Sequence, residues 1–131
     1  MRDVYIYPAV FDYADDGISV FFPDVPGCYT CGNNDEEAVK MAEDALGLCM
    51  CGMEEDNEEI PEPSKGNKIT LEPNQRIFLI RVWMPKVRNE VKPIYVKKTL
   101  TIPSFLNMAA QEANINFSNV LQEALKQKLG I

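Results

Sequence analysis

Histidine is absent from the 131 residues. That removes the one side chain whose ordinary pKa lies near neutrality, and with it every acid–base or nucleophile scheme built on an imidazole. No apolar run approaches the ~20 residues that a helix needs to cross a bilayer. The opening MRDVYIYPAVFDY lacks a basic stretch, an apolar core and a cleavage pattern, so a cytoplasmic location and no membrane partner are expected. Glycine is sparse, at seven residues, and none of them builds a phosphate-cradling loop. Internal repeats and low-complexity tracts are missing, and no motif asks for a cofactor or a metal.

Cysteine is scarce too. The four residues fall as Cys28 and Cys31, spaced C-x-x-C, and Cys49 and Cys51, spaced C-x-C. A disulfide framework is not expected in a reducing compartment. Four thiolates in two close pairs are the raw material of a zinc site. The second pair, however, falls late in a predicted helix, where residues two apart diverge. Small buried apolar side chains are the plainer reading.

What is present is a balanced composition, 46% hydrophobic and 25% charged, which is enough apolar material for a folded core. The charge is divided unevenly. Residues 1–85 hold 6 Lys/Arg against 17 Asp/Glu, a net of −11, and residues 86–131 hold 7 against 3, a net of +4. An acidic head on a basic tail makes the tail the candidate for touching phosphates, whatever the sign of the whole chain.

The head reads as β-β-β-α-β. Residues 4–11 and 18–22 are aromatic and β-branched around the turn Asp15-Asp16-Gly17, a hairpin signal. Pro23 and Pro26 interrupt the ladder before a short third strand over 28–31. Asn34 with Glu37 forms a capping box, with Asp35 and Glu36 in the first helical turn. Ala38, Met41, Ala42, Ala45, Leu48 and Cys49 then recur as one apolar face of a helix to about residue 51, with Gly52 its expected stop. Residues 54–66 are an acidic, proline-bearing loop, and residues 76–84 a buried strand. This is an α+β arrangement with a helix on one sheet face. Residues 1–85 are taken as the acidic domain and residues 86–95, with Pro85 before them, as a linker.

Residues 96–131 read as strand, helix, turn, helix. Leu106, Ala109, Ala110 and Ala113 make one apolar stripe, and Val120, Leu121, Ala124, Leu125 and Leu129 another. Two short helices and a strand cannot enclose a core alone, so a homodimer is expected, or a tetramer of two such dimers. Leu100, Ile102, Leu106, Ala109, Val120, Leu121 and Leu125 would form its core. Pairing of residues 96–102 with their two-fold mates turns Lys97, Thr99 and Thr101 outward, as a ribbon able to read bases in a major groove. Asn116, as N-cap of the second helix, and Ser118 are placed to hold a DNA phosphate.

The string VKKTLTIP over residues 96–103, followed by SFLNMAAQEANINFSNVLQEAL, resembles a ribbon-helix-helix DNA-binding motif. Lys98 departs from it, standing where that motif carries an apolar residue, and Asn114 replaces the commoner glycine. Tyr7-Pro8-Ala9-Val10-Phe11, Asp16-Gly17-Ile18-Ser19-Val20, Phe22-Pro23-Asp24-Val25-Pro26-Gly27-Cys28 and Asn34 with Glu36-Glu37-Ala38 resemble, in order, the HicB antitoxin family. The resemblance implies a partial ribonuclease H-like domain that masks a small basic mRNA-cleaving toxin, HicA. It also implies repression of the operon by the tail at operator DNA, and no enzymatic activity. Two other readings stay open: a stand-alone repressor with a ligand-sensing or vestigial first domain, and a hydrolase using Asp12, Asp15, Asp16 and Asp24 as metal ligands.

Overall fold

Aromatic and β-branched residues carry the chain out along β1 (Val4–Ala14) and back along β2 (Gly17–Phe21), paired from Val10↔Phe21 to Ala14↔Gly17. The reversal rests on Gly17, whose φ of +143° is a conformation that side-chain-bearing residues avoid. These observations come from a computed structural model that describes residues 1–131. It contains two units, Met1–Ile94 and Tyr95–Ile131.

In the first unit β3 (Tyr29–Gly32) pairs with β2, and β4 (Gln75–Trp83) pairs with the other side of β1. The result is a four-stranded antiparallel sheet in the order β3-β2-β1-β4. The proline loop between β2 and β3 closes on itself: the Phe22 N–H donates to the Cys28 carbonyl and the Val25 N–H to that of Phe22, both at 3.1 Å. Phe22, Val25 and Cys28 are thereby pinned into the core.

Helix α1 (Asp35–Glu55) begins at the expected N-cap, the Asn34 side chain accepting from the Glu37 N–H at 2.8 Å, without the reciprocal bond from the Glu37 side chain. It lies over Tyr5, Tyr7, Ala9 and Phe11 of β1, Ile18 and Val20 of β2 and Ile80 and Val82 of β4. Its contact stripe is Ala38, Ala42, Leu46 and Met50, all at 0% exposure. Large side chains buried this way contribute about 1.5–3 kcal/mol each. Small residues at the start of the stripe let the helix approach closely. A Cβ on Gly32 would fall 2.6 Å from the Ala38 nitrogen, so β3 and α1 meet backbone to backbone.

Four expectations are corrected here. First, α1 does not stop at Gly52 but runs to Glu55, because beyond that glycine Met53 packs against the core and Glu54 is held by Arg88 and Tyr5. Second, Met41 and Leu48 do not face the core. The i, i+4 row through Ala38, Ala42 and Leu46 does, and the other two stand in solvent at 39% and 62% exposure. Third, β4 is an edge strand instead of a buried one, with Ile80 and Val82 inward and Leu79 and Trp83 outward. Fourth, most of the expected linker is α2 (Met84–Val91), since Pro85 sits in the first turn of a helix, where its missing N–H costs nothing.

Helix α2 is tied to the unit by Arg88. Its guanidinium donates to Glu54 at 3.0 and 2.9 Å and to Asp3 at 2.8 Å, and Tyr5 Oη donates to Glu54 at 2.9 Å. The Glu54 side chain is only 6% exposed. Burial by itself would raise its pKa, but the bonds from Arg88 and Tyr5 and the Arg88 charge outweigh it and hold the carboxyl below its usual value. Glu54 therefore binds its proton more weakly in the folded protein than in the unfolded chain. Its contribution to stability is complete above the unfolded carboxylate range, ~4.3, and is lost as pH falls through the lower folded value.

Removing one partner strands a buried charge. Arg88→Met is expected to destabilise the first unit by about 2–3 kcal/mol in urea melts at pH 7. Adding Glu54→Leu should recover most of that loss. An Arg88→Met protein as stable as the parent would show that the pair contributes nothing.

Candidate functional site

In the second unit α3 (Ser104–Glu112) and α4 (Phe117–Leu129) form where the apolar periodicity places them. Their joint has a defined geometry. Asn114 takes φ +55°, its N–H donates to the Gln111 carbonyl at 3.1 Å, and the Ile115 N–H reaches back to that of Ala110 at 3.0 Å. This is the paired-bond ending of a helix whose reversal point is left-handed, a conformation that Asn tolerates better than other side-chain-bearing residues. Two residues later the Asn116 side chain accepts from the Asn119 N–H at 3.1 Å and caps α4. The Ser118 side chain stands in the first turn of α4, exposed.

No residue of this unit is buried; only Asn107, Ala110 and Leu121 are even partly covered. Leu100, Ile102, Leu106, Ala110, Ile115, Phe117, Val120, Leu121 and Ala124 instead line an open apolar groove of about 630 Å³, with Lys98 and Ser118 also on its wall. Of the seven residues expected in a dimer core, the groove gathers Leu100, Ile102, Leu106, Val120 and Leu121. Ala109 and Leu125 lie outside it, their places taken by Ala110 and Ala124. Ile115 and Phe117 belong to it as well. They sit in and beside the turn, where periodicity within a helix gives no signal.

Residues 96–102 form no hydrogen-bonded ladder within this chain, which departs from the expected strand. A strand needs a neighbour to satisfy its backbone, and one copy of the unit offers none. Lys97, Thr99 and Thr101 are all exposed along this segment. Asn116 is engaged in its cap and Ser118 faces the groove, so a role on phosphate would fall to the free amides of the α4 start as much as to these side chains.

The candidate ligands in the first unit do not converge. Asp12 accepts from Asn74 at 2.6 Å and from Gln75 at 3.0 Å, which ties β1 to the entry of β4. Asp24 takes the Ser64 amide at 2.8 Å and its hydroxyl, anchoring the long loop. Asp15 and Asp16 occupy the hairpin turn. The cysteines are also dispersed in setting: Cys28 and Cys51 are buried, Cys49 is half-buried and Cys31 exposed. Cys28 donates to the Ala45 carbonyl at 3.5 Å, and burial followed by its contact with Cys49 pushes its thiol pKa upward. No group of three or more acidic or thiol side chains has the geometry to hold a metal ion. No helix is long and apolar enough to cross a membrane.

The profile of the HicB_like antitoxin of bacterial toxin-antitoxin systems matches residues 7–125. Antitoxin HicB 2 of Photorhabdus laumondii is 45% identical over 58 residues, covering 44% of this chain and 42% of its own length. A 14.9 kDa protein from the rep-hol intergenic region of Haemophilus phage HP1 is 34% identical over 77 residues, 59% of this chain and 58% of its own. The chain thus spans about half the length of the curated relatives it matches. Among solved structures, a chain of a toxin-antitoxin complex from Streptococcus pneumoniae superposes with a TM-score of 0.62 at 29% identity, over 95% of this chain and 99% of that one. The antitoxin HicB of Burkholderia pseudomallei shares the fold, at a TM-score of 0.53 and 18% identity over 95% and 98%.

The α3–α4 joint makes a direct prediction. Asn116→Ala removes the cap and should cost the second unit about 1 kcal/mol of stability. Asn114→Gly should be neutral or stabilising, and Asn114→Val should destabilise, because a β-branched side chain resists positive φ. Helicity by circular dichroism and thermal melts on the full chain read out all three.

Proposed function

The chain belongs to the HicB-like antitoxin family, and from that premise we propose that it neutralises a HicA-like mRNA-cleaving toxin and represses its own operon. In this reading the first unit, a partial ribonuclease H-like domain, covers the toxin. The second unit is a ribbon-helix-helix module that dimerises and binds operator DNA. The S. pneumoniae structure is a toxin-antitoxin complex, and HicA3 with HicB3 is another, whose antitoxin-like fold aligns at 21% identity.

The observation that carries the reading is the division of labour along the chain. An acidic unit buries a core of its own, while a net-basic tail leaves its apolar residues facing a groove that nothing in one copy fills. A two-fold mate completes such a groove: pairing residues 96–102 across the axis satisfies the backbone and turns Lys97, Thr99 and Thr101 to one face. There Lys donates to guanine acceptors, and Thr offers a hydroxyl together with a methyl for thymine. The amides at the start of α4 fix the register on a phosphate.

The first test is co-expression of the tagged chain with its neighbouring gene. A small protein that copurifies, and whose ribonuclease activity is silent in the complex and restored on separation, is the expected result. Recovery of the chain alone would overturn the antitoxin assignment. On DNA, Lys97→Ala and Thr99→Ala should each weaken operator binding by ~1–3 kcal/mol in fluorescence anisotropy, with no change in melting. Leu121→Asp should yield monomers by light scattering and abolish DNA binding while sparing the first unit, because it buries a charge in the groove. Full operator affinity in Leu121→Asp would refute the dimer.

A further inference from the structure

Helix α1 has two unlike faces. The inner one is the stripe already described. On the outer one Glu37, Met41, Asp44, Leu48 and Glu55 follow at intervals of four, three, four and seven, which stacks them in one row down the helix. The row is ~27 Å long at 1.5 Å per residue. Met41 and Leu48 are the large apolar members of it, and they are the two residues that the core rejected.

The charges around them are one-sided. Exposed Glu36, Glu37, Glu43 and Asp44 make no ion pair, Glu55 meets Lys92 at 3.3 Å, and Lys40 is the helix's only cation. A single exposed Leu needs no explanation. Two apolar side chains in one row, ringed by acids with no partner, form an anchor inside an electrostatic rim, the anatomy of a docking face. The sheet's other face, where Pro8 and Val10 are buried and the segment at Gly66 approaches Ile77 and Leu79, still exposes Ile6, Phe21, Tyr29, Leu79 and Trp83. It has no such rim: Asp12, its acid, is taken by Asn74 and Gln75, and Arg81 lies in the same register. A cationic partner is drawn to the helix and not to the sheet.

We infer that the outer face of α1 is the surface that receives the toxin, through an apolar pocket on the toxin that takes Leu48 and Met41 and a Lys/Arg rim that meets Glu37, Glu43 and Asp44. This rests on the antitoxin reading above and adds where the contact is made. The acids steer the encounter and set its salt dependence, and the two apolar side chains hold the complex once formed.

The test uses the full chain and the catalytically inactivated toxin co-expressed from the adjacent gene, with affinities from biolayer interferometry at 50 and 300 mM NaCl. Leu48→Lys should weaken binding a hundredfold or more, mainly through faster dissociation. Asp44→Lys should slow association about tenfold and flatten its dependence on salt. Both positions are solvent-exposed, so the melting temperature should stay unchanged, and Leu79→Lys on the sheet face should bind as the parent does. Parental affinity in both helix variants, with binding lost in Leu79→Lys, would overturn the placement and leave the antitoxin function standing. A shift in oligomeric state by Leu48→Lys without loss of toxin binding would also overturn it, making α1 a contact between copies. If the parent chain itself fails to bind the toxin, the functional assignment falls first.

Discussion

No residue beyond Met84 is fully buried within one copy of this chain, whereas the residues before it close a core around α1. Hydrophobic burial is the dominant favourable term in folding. Its uneven placement therefore divides the protein into a part that sustains itself and a part that does not. Tyr7, Phe11, Leu46 and Met50 meet between sheet and helix and need nothing from outside. Leu100, Leu106, Val120 and Leu121 line a groove whose other wall is missing. The joint at Asn114 and the cap at Asn116 hold α3 and α4 in a defined relation even so. Local hydrogen bonds set the shape of the groove, and in the proposed dimer burial against a second copy supplies the stability.

Electrostatics follows the same division. The acids of the first unit split into those with structural employment and those without. Glu54, Asp12 and Asp24 each hold two segments together, with bonds to Arg88 and Tyr5, to Asn74 and Gln75, and to Ser64. On α1, Asp35 accepts from Tyr13 and Glu55 pairs with Lys92, but the exposed Glu36, Glu37, Glu43 and Asp44 hold nothing together. An excess of one sign that the fold does not use is available to a partner, and it lies beside the two apolar residues that the fold does not use either. In the tail the surplus is positive, and Lys97 sits with Thr99 and Thr101 on the segment that lacks a strand partner.

Features written in a few adjacent residues were legible in the sequence. The hairpin at Asp15-Asp16-Gly17, the N-cap at Asn34, the reversal at Asn114 and the spans of α3 and α4 are each set by backbone geometry within one turn. Where the reading went astray, a choice between near-equal local patterns was settled by distant contacts. Ala38, Met41, Ala45 and Leu48 is as good a helical stripe as Ala38, Ala42, Leu46 and Met50. Only the position of the sheet selects the second. Gly52 is a plausible stop until Met53 packs on the core and Glu54 meets Arg88 and Tyr5. The segment around Pro85 looks like a linker until Arg88 finds Glu54, 34 residues away.

The candidate site divides the same way. By itself the sequence determined that the tail would be apolar on one side and cationic at its start, because the period of the apolar residues and the identity of Lys97, Thr99 and Thr101 are local facts. It determined likewise that the first unit would carry the negative charge. Tertiary structure decided which acids are spent on the fold, that Ile115 and Phe117 join the groove while Ala109 and Leu125 do not, and that Met41 and Leu48 face solvent. Each of those depends on which surfaces meet across long stretches of chain, and hydrophobic burial, being non-directional, leaves no mark of that choice in any short stretch of sequence.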